Sequence, residues 1–388
     1  MNLNEYRGFS RDAKLVVAYS FFGWLGGNIT WFILPFYFKA LGMDFTEIGS
    51  LFSVSTIVQS LLLLVSGQVS VRLGYKRTVL LSLFFYMIAR MLQVFFPVFW
   101  ILMIASMFLG MGTALEWPAL TALLSSETTD EKRHYLFTLN SALGTAGAAF
   151  GMMLGGALPK ILGGSYPYRY TLLFAISFLI IQMFLIALVS PVLDREEKKL
   201  RLRRYLLIRI AKFALPNVLI GLGAGITIPY MGLWFNLSFG TSLESIGGLF
   251  AFQQMVMAFG MFIMPLIVDR VGSVKTVVGF NGSATGLIVA LPFAPSFLIA
   301  ALIYTIRTIL MNIVNPIWDA FTLKFFTKGE RATSIALRSF AWTSTFGIGQ
   351  YIGGRIFDYS LTVPFLITGA LYGMAVLAIW VLFVGYEE

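Results

Sequence analysis

From Lys14 onward the chain is a succession of apolar stretches, most of them near or above 20 residues, with only short polar breaks between them. About 20 apolar residues per helical span are needed to cross a bilayer core, and a backbone in hydrocarbon must satisfy its own polar groups within the segment, which selects helices. Twelve such stretches fit, at 15–38, 46–71, 77–96, 98–125, 135–162, 169–192, 210–236, 243–268, 275–294, 296–326, 332–356 and 361–384. A chain that is 58% hydrophobic and only 12% charged, with a mean hydropathy of +0.83, lies far from the composition of a soluble domain. The expected class is an all-α membrane protein with twelve transmembrane helices.

The formal charge of +10 invites a nucleic-acid reading, so the positions of the basic residues matter more than their number. Of the 28 Lys and Arg, all but seven fall on the N-terminus or on the even-numbered connections. Lys39, Lys160, Arg169 and Arg355 lie on the opposite side, and Arg90, Arg307 and Arg338 lie within spans. By the positive-inside rule both termini are cytoplasmic. The basic charge is topology, and no nucleic-acid partner is expected.

There is no cysteine and one histidine, His134, so disulfides, thiol chemistry and a multi-histidine metal site are excluded. No phosphate loop of the Gly-x-x-x-x-Gly-Lys-Ser/Thr kind is present, and no cofactor is expected. The first 14 residues are polar, without the short apolar core of a cleavable signal, so the first span is expected to stay as an anchor.

A repeat runs through the chain at one fixed offset of 198 residues. Ile48, Gly49, Leu51 and Phe52 match Ile246, Gly247, Leu249 and Phe250; Arg72 and Gly74 match Arg270 and Gly272. Pro118 matches Pro316, Arg133 matches Arg331, and Gly151, Gly155 and Gly156 match Gly349, Gly353 and Gly354. Since each half holds an even number of spans, this is a parallel repeat about an axis along the membrane normal. Two six-helix bundles, 1–193 and 210–388, are expected, joined by a basic linker at 194–209 that the sequence marks as a solvated, headgroup-facing connection.

The connection between the second and third spans reads Gly67-Gln68-Val69-Ser70-Val71-Arg72-Leu73-Gly74-Tyr75-Lys76-Arg77, and its repeat contains Asp269-Arg270-Val271-Gly272 followed by Lys275. With the 6+6 layout and the central basic loop, this resembles the major facilitator superfamily over essentially the whole chain. The family's loop signature reads roughly G-x-L-x-D-R-x-G-R-R. Its acidic position is Val71 in the first copy and Asp269 in the second, and Pro265 replaces the leading glycine there. The resemblance implies a cytoplasmic gate at Arg72, Gly74, Arg77, Asp269, Arg270 and Gly272, with any acid-mediated lock confined to one half. Gly147, Gly151, Gly155 and Gly156 look like the glycine pattern of the family's antiporter motif, with Met152 at its proline position. Packing between the halves explains the same pattern and its copy at Gly349, Gly353 and Gly354. The arginine that many proton-coupled exporters of the family carry in the fourth span is Ser106 here.

The resemblance also implies a central cavity lined by the first, fourth, seventh and tenth spans. Ionisable groups at membrane depth mark pathways or buried pairs. In the tenth span Tyr304, Thr308, Asn312, Asn315 and Asp319 recur at helical spacing on one face, with Arg307 beside them. Arg307 either holds an anionic substrate or pairs with a carboxylate. Glu116 in the fourth span either takes and releases a proton or pairs with an arginine such as Arg307. Asp319, a second proton-coupling candidate, and Arg338 fall at similar depth on consecutive helices, as a structural tie or a gate element. Asn28 and Trp31 in the first span, and Tyr230 and Trp234 in the seventh, line the cavity or, for the tryptophans, mark the headgroup belt.

These features point to a secondary transporter of the plasma membrane, working by alternating access as a monomer, with a small organic solute and protons as partners and the lipid bilayer as surroundings. Glu116 and the aromatics favour export of a hydrophobic or cationic compound, slightly. Arg307 and the asparagines favour uptake of a polar or anionic one. A membrane sensor that does not transport is the reading from another class, whereas an enzyme would need a convergent catalytic set that the sequence lacks.

Overall fold

The computed structural model describes residues 8–129, 131–191 and 204–386, the side chains of 204, 205, 207, 258–267, 269, 328 and 332 excepted. Most of the linker at 194–209 therefore falls outside the described residues. In chain order the helices are α1 (Arg11–Ala40), α2 (Phe45–Leu73), α3 (Tyr75–Phe95), α4 (Phe99–Ser126), α5 (Arg133–Leu162), α6 (Pro167–Leu188), α7 (Arg204–Thr227), α8 (Met231–Phe239), α9 (Leu243–Val271), α10 (Ser273–Ala290), α11 (Phe297–Ile313), α12 (Asn315–Leu323), α13 (Lys328–Phe357) and α14 (Val363–Phe383). Two spans are broken. A 3-10 turn at Ile228–Tyr230, containing Pro229, separates α7 from α8, and Val314 followed by Pro316 separates α11 from α12. Proline lacks the N–H that would continue the ladder and clashes with the preceding turn. With each broken pair taken as one span, twelve membrane-length segments remain among the described residues, where the apolar stretches predict them.

Among the described residues, ten of these segments are long and apolar enough to cross a membrane by length and composition. The two others are α13 and α9, the side chains of α9 at 258–267 and 269 lying outside the described residues. Glu330, Arg331, Arg338 and Arg355 make α13 the more polar of the two. Pro118 and Pro316 occupy equivalent positions in the repeat, yet α4 runs through Pro118 unbroken while the second copy breaks. The repeat is thus closer in sequence than in backbone at this point.

The chain divides into two compact units that are not contiguous in sequence. One holds Met1–Gly42, Val58–Lys198 and Ser242–Met255; the other holds Met43–Ile57, Lys199–Thr241 and Val256–Glu388. The first turns of α2 therefore group with the second half of the sequence, and the first turns of α9 with the first half. The core of the first unit gathers Val16, Tyr19, Val79, Leu83, Ala119, Leu123 and Ile186. That of the second gathers Ile210, Phe213, Val277, Trp318, Phe321 and Phe383.

Lipid is as apolar as leucine, so helices in a membrane associate through close packing and polar contacts rather than through the hydrophobic effect. The glycine runs supply that packing, with a partner that differs from expectation. Gly147, Gly151 and Gly155 lie against α1 of their own half, where a Cβ on Gly147 would stand 2.5 Å from the Phe21 carbonyl oxygen. Gly349 and Gly353 likewise lie against Leu222, Gly225 and Ile226 of α7. The last glycine of each run is the one that meets the other half of the sequence. Gly156 sits on Leu243 and Gly247 of α9, and Gly354 on Phe45 of α2.

Beside each of those crossings is a polar contact, and the two are related by the repeat. Asp358 at the end of α13 accepts from the backbone N–H of Phe45 (2.8 Å) and of Thr46 (2.9 Å) and from the Thr46 hydroxyl (2.5 Å). A carboxylate at a helix N-terminus satisfies orphan donors and meets the positive end of the dipole. The equivalent positions, Lys160 and Glu244, form an ion pair at 3.2 Å. The contact is kept while its chemistry changes.

Candidate functional site

In the first unit, Glu116 is carried by α4 and held from two sides. The Tyr19 hydroxyl of α1 donates to Oε1 at 2.5 Å, and the Tyr86 hydroxyl of α3 donates to Oε2 at 2.7 Å. Gly112, one turn earlier on α4, makes room for this: a Cβ there would stand 2.9 Å from the Tyr86 ring. Thr113 accepts a second, longer contact from Tyr86 at 3.3 Å. Among the described residues no cation pairs with Glu116. The arginine pair expected as one alternative is replaced by a two-phenol clamp.

Phenols can donate to a carboxylate, and they do not fix its charge as an arginine would. A buried carboxylate beside an arginine stays ionised, whereas one beside neutral donors can bind or lose a proton at a much smaller electrostatic cost. Arg90, one turn from Tyr86 on α3, donates from Nη1 to Gln93 Oε1 at 2.6 Å.

In the second unit, Arg307 on α11 is 4% exposed. Its Nη2 donates to the Tyr372 hydroxyl of α14 at 2.6 Å, and its Cζ lies 5.3 Å from the centre of the same ring. Gly223 of α7 opens the slot in which that ring lies, a Cβ there coming to 3.0 Å from it. The Nε–H has no partner. An orphaned buried donor costs about 1–3 kcal/mol, and here it belongs to a permanently charged group. Of the two alternatives for Arg307, a carboxylate partner is absent among the described residues.

The polar residues of the tenth span fall on both sides of Val314. Tyr304 is buried and packs edge-on against Phe235, with centroids 5.6 Å apart. Thr308 and Asn312 are half-buried, and Asn312 Nδ2 donates to the Thr308 carbonyl at 2.8 Å. Asn315 and Asp319, carried by α12, are exposed. Tyr304, Thr308 and Asn312 are thus carried by α11, and Asn315 and Asp319 by α12, with Val314 between them in a right-handed helical backbone.

Asp319 and Arg338 do meet, with Arg338 Nη2 at 2.9 Å from Asp319 Oδ1 and Nη1 donating to Thr322 Oγ1 at 2.6 Å. The pair is lopsided, with side-chain exposures of 6% for Arg338 and 65% for Asp319. It is an arginine tied down from solvent, and Asp319 is engaged in that tie.

In the first span Asn28 is half-buried and donates from Nδ2 to the Trp24 carbonyl at 2.7 Å, while Trp31 is exposed with its ring 6.4 Å from that of Phe250. Tyr230 and Trp234 are fully buried in an aromatic core with Phe45, Phe357 and Phe365. The Tyr230 hydroxyl donates to the Gln350 carbonyl, and Trp234 Nε1 to that of Leu361 at 3.0 Å. Their polar ends are spent on backbone.

The loop signature shows its geometry in both copies. Gly74 (φ 85°) and Gly272 (φ 93°) cap α3 and α10 in a backbone region open mainly to glycine. Lys76 Nζ donates to the Ala187 and Val189 carbonyls at 2.7 and 2.5 Å, closing the end of α6. Arg72, Arg77 and Arg270 are exposed, and the side chain of Asp269 lies outside the described residues. Sequence reasoning missed Tyr19, Tyr86, Tyr372 and Asp358. Spacing along one helix gives no sign of the three tyrosines, but Asp358 was within reach, since the 198-residue register sets it opposite Lys160.

The profile of the Major Facilitator Superfamily matches residues 16–213 and, a second time, 213–388. Among solved structures, a point mutant of the nucleoside transporter NupG superposes with a TM-score of 0.81 at 15% identity, covering 96% of this chain and 99% of that one. Another structure of the nucleoside transporter NupG gives 0.78 at 15% identity over 98% and 100% of the two chains. A D-xylose-proton symporter gives 0.72 at 13% identity over 94% and 95%. At these identities the likeness is one of fold. No curated protein matches the sequence.

Proposed function

This chain belongs to the Major Facilitator Superfamily, and on that premise we propose that it takes up a small polar organic solute together with a proton by alternating access. The observation that carries this reading is the Glu116 carboxylate, held by two phenols with no cation beside it. Such a group can be loaded from one side of the membrane and emptied to the other. The halves 1–193 and 210–388 are the moving bodies, joined by the linker at 194–209. The loop residues Arg72, Gly74, Arg77, Asp269, Arg270 and Gly272 gate the side on which both termini lie, the cytoplasmic side of the plasma membrane.

Export of a hydrophobic or cationic compound is the weaker reading. Its support was Glu116 as an attractor of cations and the aromatics Tyr230 and Trp234 as lining. Glu116 has both oxygens occupied, and the two aromatics are sealed in packing. Uptake gains support from the half-buried amides Asn28 and Asn312, and from the fold neighbours described as a nucleoside transporter and a D-xylose-proton symporter.

The test is made on purified protein in proteoliposomes loaded with a pH-reporting dye. Addition of uridine, D-xylose or a panel of small organic acids should make the lumen acidify as solute enters. Solute entry with no proton movement at any pH would contradict proton coupling. Tight binding without entry would favour a sensor.

A further inference from the structure

Arg307 presents a problem that its surroundings do not solve. It is a permanent cation, 4% exposed, carried by α11 near the middle of the tenth span. Its hydrogen-bond partner is a neutral phenol, Tyr372, and its Nε–H faces no acceptor. A buried charge is retained where it is paired or where it has work to do. Arg338 in the same unit shows the paired case, with Asp319 at 2.9 Å. Arg307 has the donor geometry of the paired case and lacks the acid.

We propose that Arg307 is the docking point for the negative charge of a monocarboxylate solute. This rests on the transporter reading and names the solute's class. The guanidinium edge formed by Nε and Nη2 presents parallel donors matched to the two oxygens of a carboxylate. Nη2 holds Tyr372 with one hydrogen and has a second to give, while Nε–H is free. The hydrogen bond to Tyr372 holds one end of the guanidinium in place, so the fork is oriented before the solute arrives. A single arginine balances one negative charge. A dianion, such as hydrogen phosphate, would leave an excess charge in a low-dielectric site, so the occupant is a monoanion. Carried with one proton, it crosses the membrane as a neutral pair. Transport then follows the pH gradient and ignores the membrane potential.

The experiment is a thermal-shift and flux series on the full chain with benzoate, lactate and gluconate, each beside its amide, with phosphate, and with uridine and D-xylose as neutral solutes. At least one carboxylate should raise the apparent melting temperature of the wild-type chain, with its amide inert. Arg307→Lys keeps the charge and loses the fork, and Arg307→Gln loses both. Either substitution should weaken carboxylate binding by roughly 10- to 100-fold, the worth of one or two hydrogen bonds to a charged group. Carboxylate entry into proteoliposomes should respond to an imposed pH gradient and not to a potassium-diffusion potential. Stabilisation by uridine or D-xylose with none by any carboxylate overturns the inference and leaves the transport reading intact. An undiminished carboxylate shift in either folded variant also overturns it, as does stabilisation by phosphate alone. Carboxylate binding that depends on Arg307 without entry sustains the site and removes the transport reading. Should both variants fail to fold, the wild-type contrast between acids and amides decides.

Discussion

The tie between Arg338 and Asp319 allows a worked estimate, because its two ends differ so much in burial. Asp319→Asn strands a guanidinium that is 6% exposed, leaving it the Thr322 hydroxyl at 2.6 Å and an Nε already without a partner. A hydrogen bond to a charged group is worth about 1.5–3 kcal/mol. Since the Asp319 side chain is 65% exposed, solvent screening brings the pair term down to about 1 kcal/mol. Arg338→Met removes the buried charge altogether and replaces it with a side chain that fits an apolar site, so it is expected to cost little or to stabilise. In the double variant the Asn then has no charge to fail. Equilibrium unfolding in mixed detergent micelles, run on the four proteins, measures the coupling directly, and it should come out near 1 kcal/mol. Additivity within about 0.3–0.5 kcal/mol would refute the reasoning. It would mean that Thr322 alone holds Arg338 and that the ion pair is incidental.

Asp358→Ala removes the acceptor for two backbone amides at the start of α2 and is expected to cost about 1 kcal/mol, as for the loss of an N-cap. Hydrogen exchange at Phe45 and Thr46 should speed up roughly fivefold, with amides near the middle of α13 unaffected. Gly156→Val places a side chain where a Cβ alone would be 2.5 Å from the Leu243 carbonyl oxygen, and should destabilise by about 1–3 kcal/mol through overpacking. A Gly279→Ala control has open space around the new Cβ and should leave the melting temperature nearly unchanged, so equal losses would count against this packing account.

Much of the fold could be read from hydropathy and from one repeat register, because span length and backbone satisfaction leave so few alternatives. The twelve spans fall where the apolar stretches put them, and Gly74 and Gly272 share the backbone geometry that their repeat predicts. What stayed hidden depends on contacts between helices. Val314 breaks the tenth span while Pro118, in the equivalent region of the first half, breaks nothing, so local sequence did not determine the backbone. Glu116 and Arg307 stood out as charges at membrane depth. Their partners, Tyr19, Tyr86 and Tyr372, lie on other helices in apolar surroundings that make a tyrosine unremarkable. The glycine runs announced close helix crossings but not with which helix. Asp358 was the opposite case: its equivalence to Lys160 could be read from the sequence, and its role as a cap could not.

The central claim is that Glu116, clamped by two phenols and unpaired with any described cation, is the group that couples solute movement to protons. Proteoliposomes with wild-type chain and with Glu116→Gln, compared for entry driven by a pH gradient and for exchange of labelled against unlabelled solute, test it most directly. The amide keeps the size of the side chain and an oxygen for a phenol to donate to, but it cannot gain or lose a proton. Gradient-driven entry should vanish in Glu116→Gln while exchange persists. Gradient-driven entry with the wild-type pH dependence in Glu116→Gln would contradict the account.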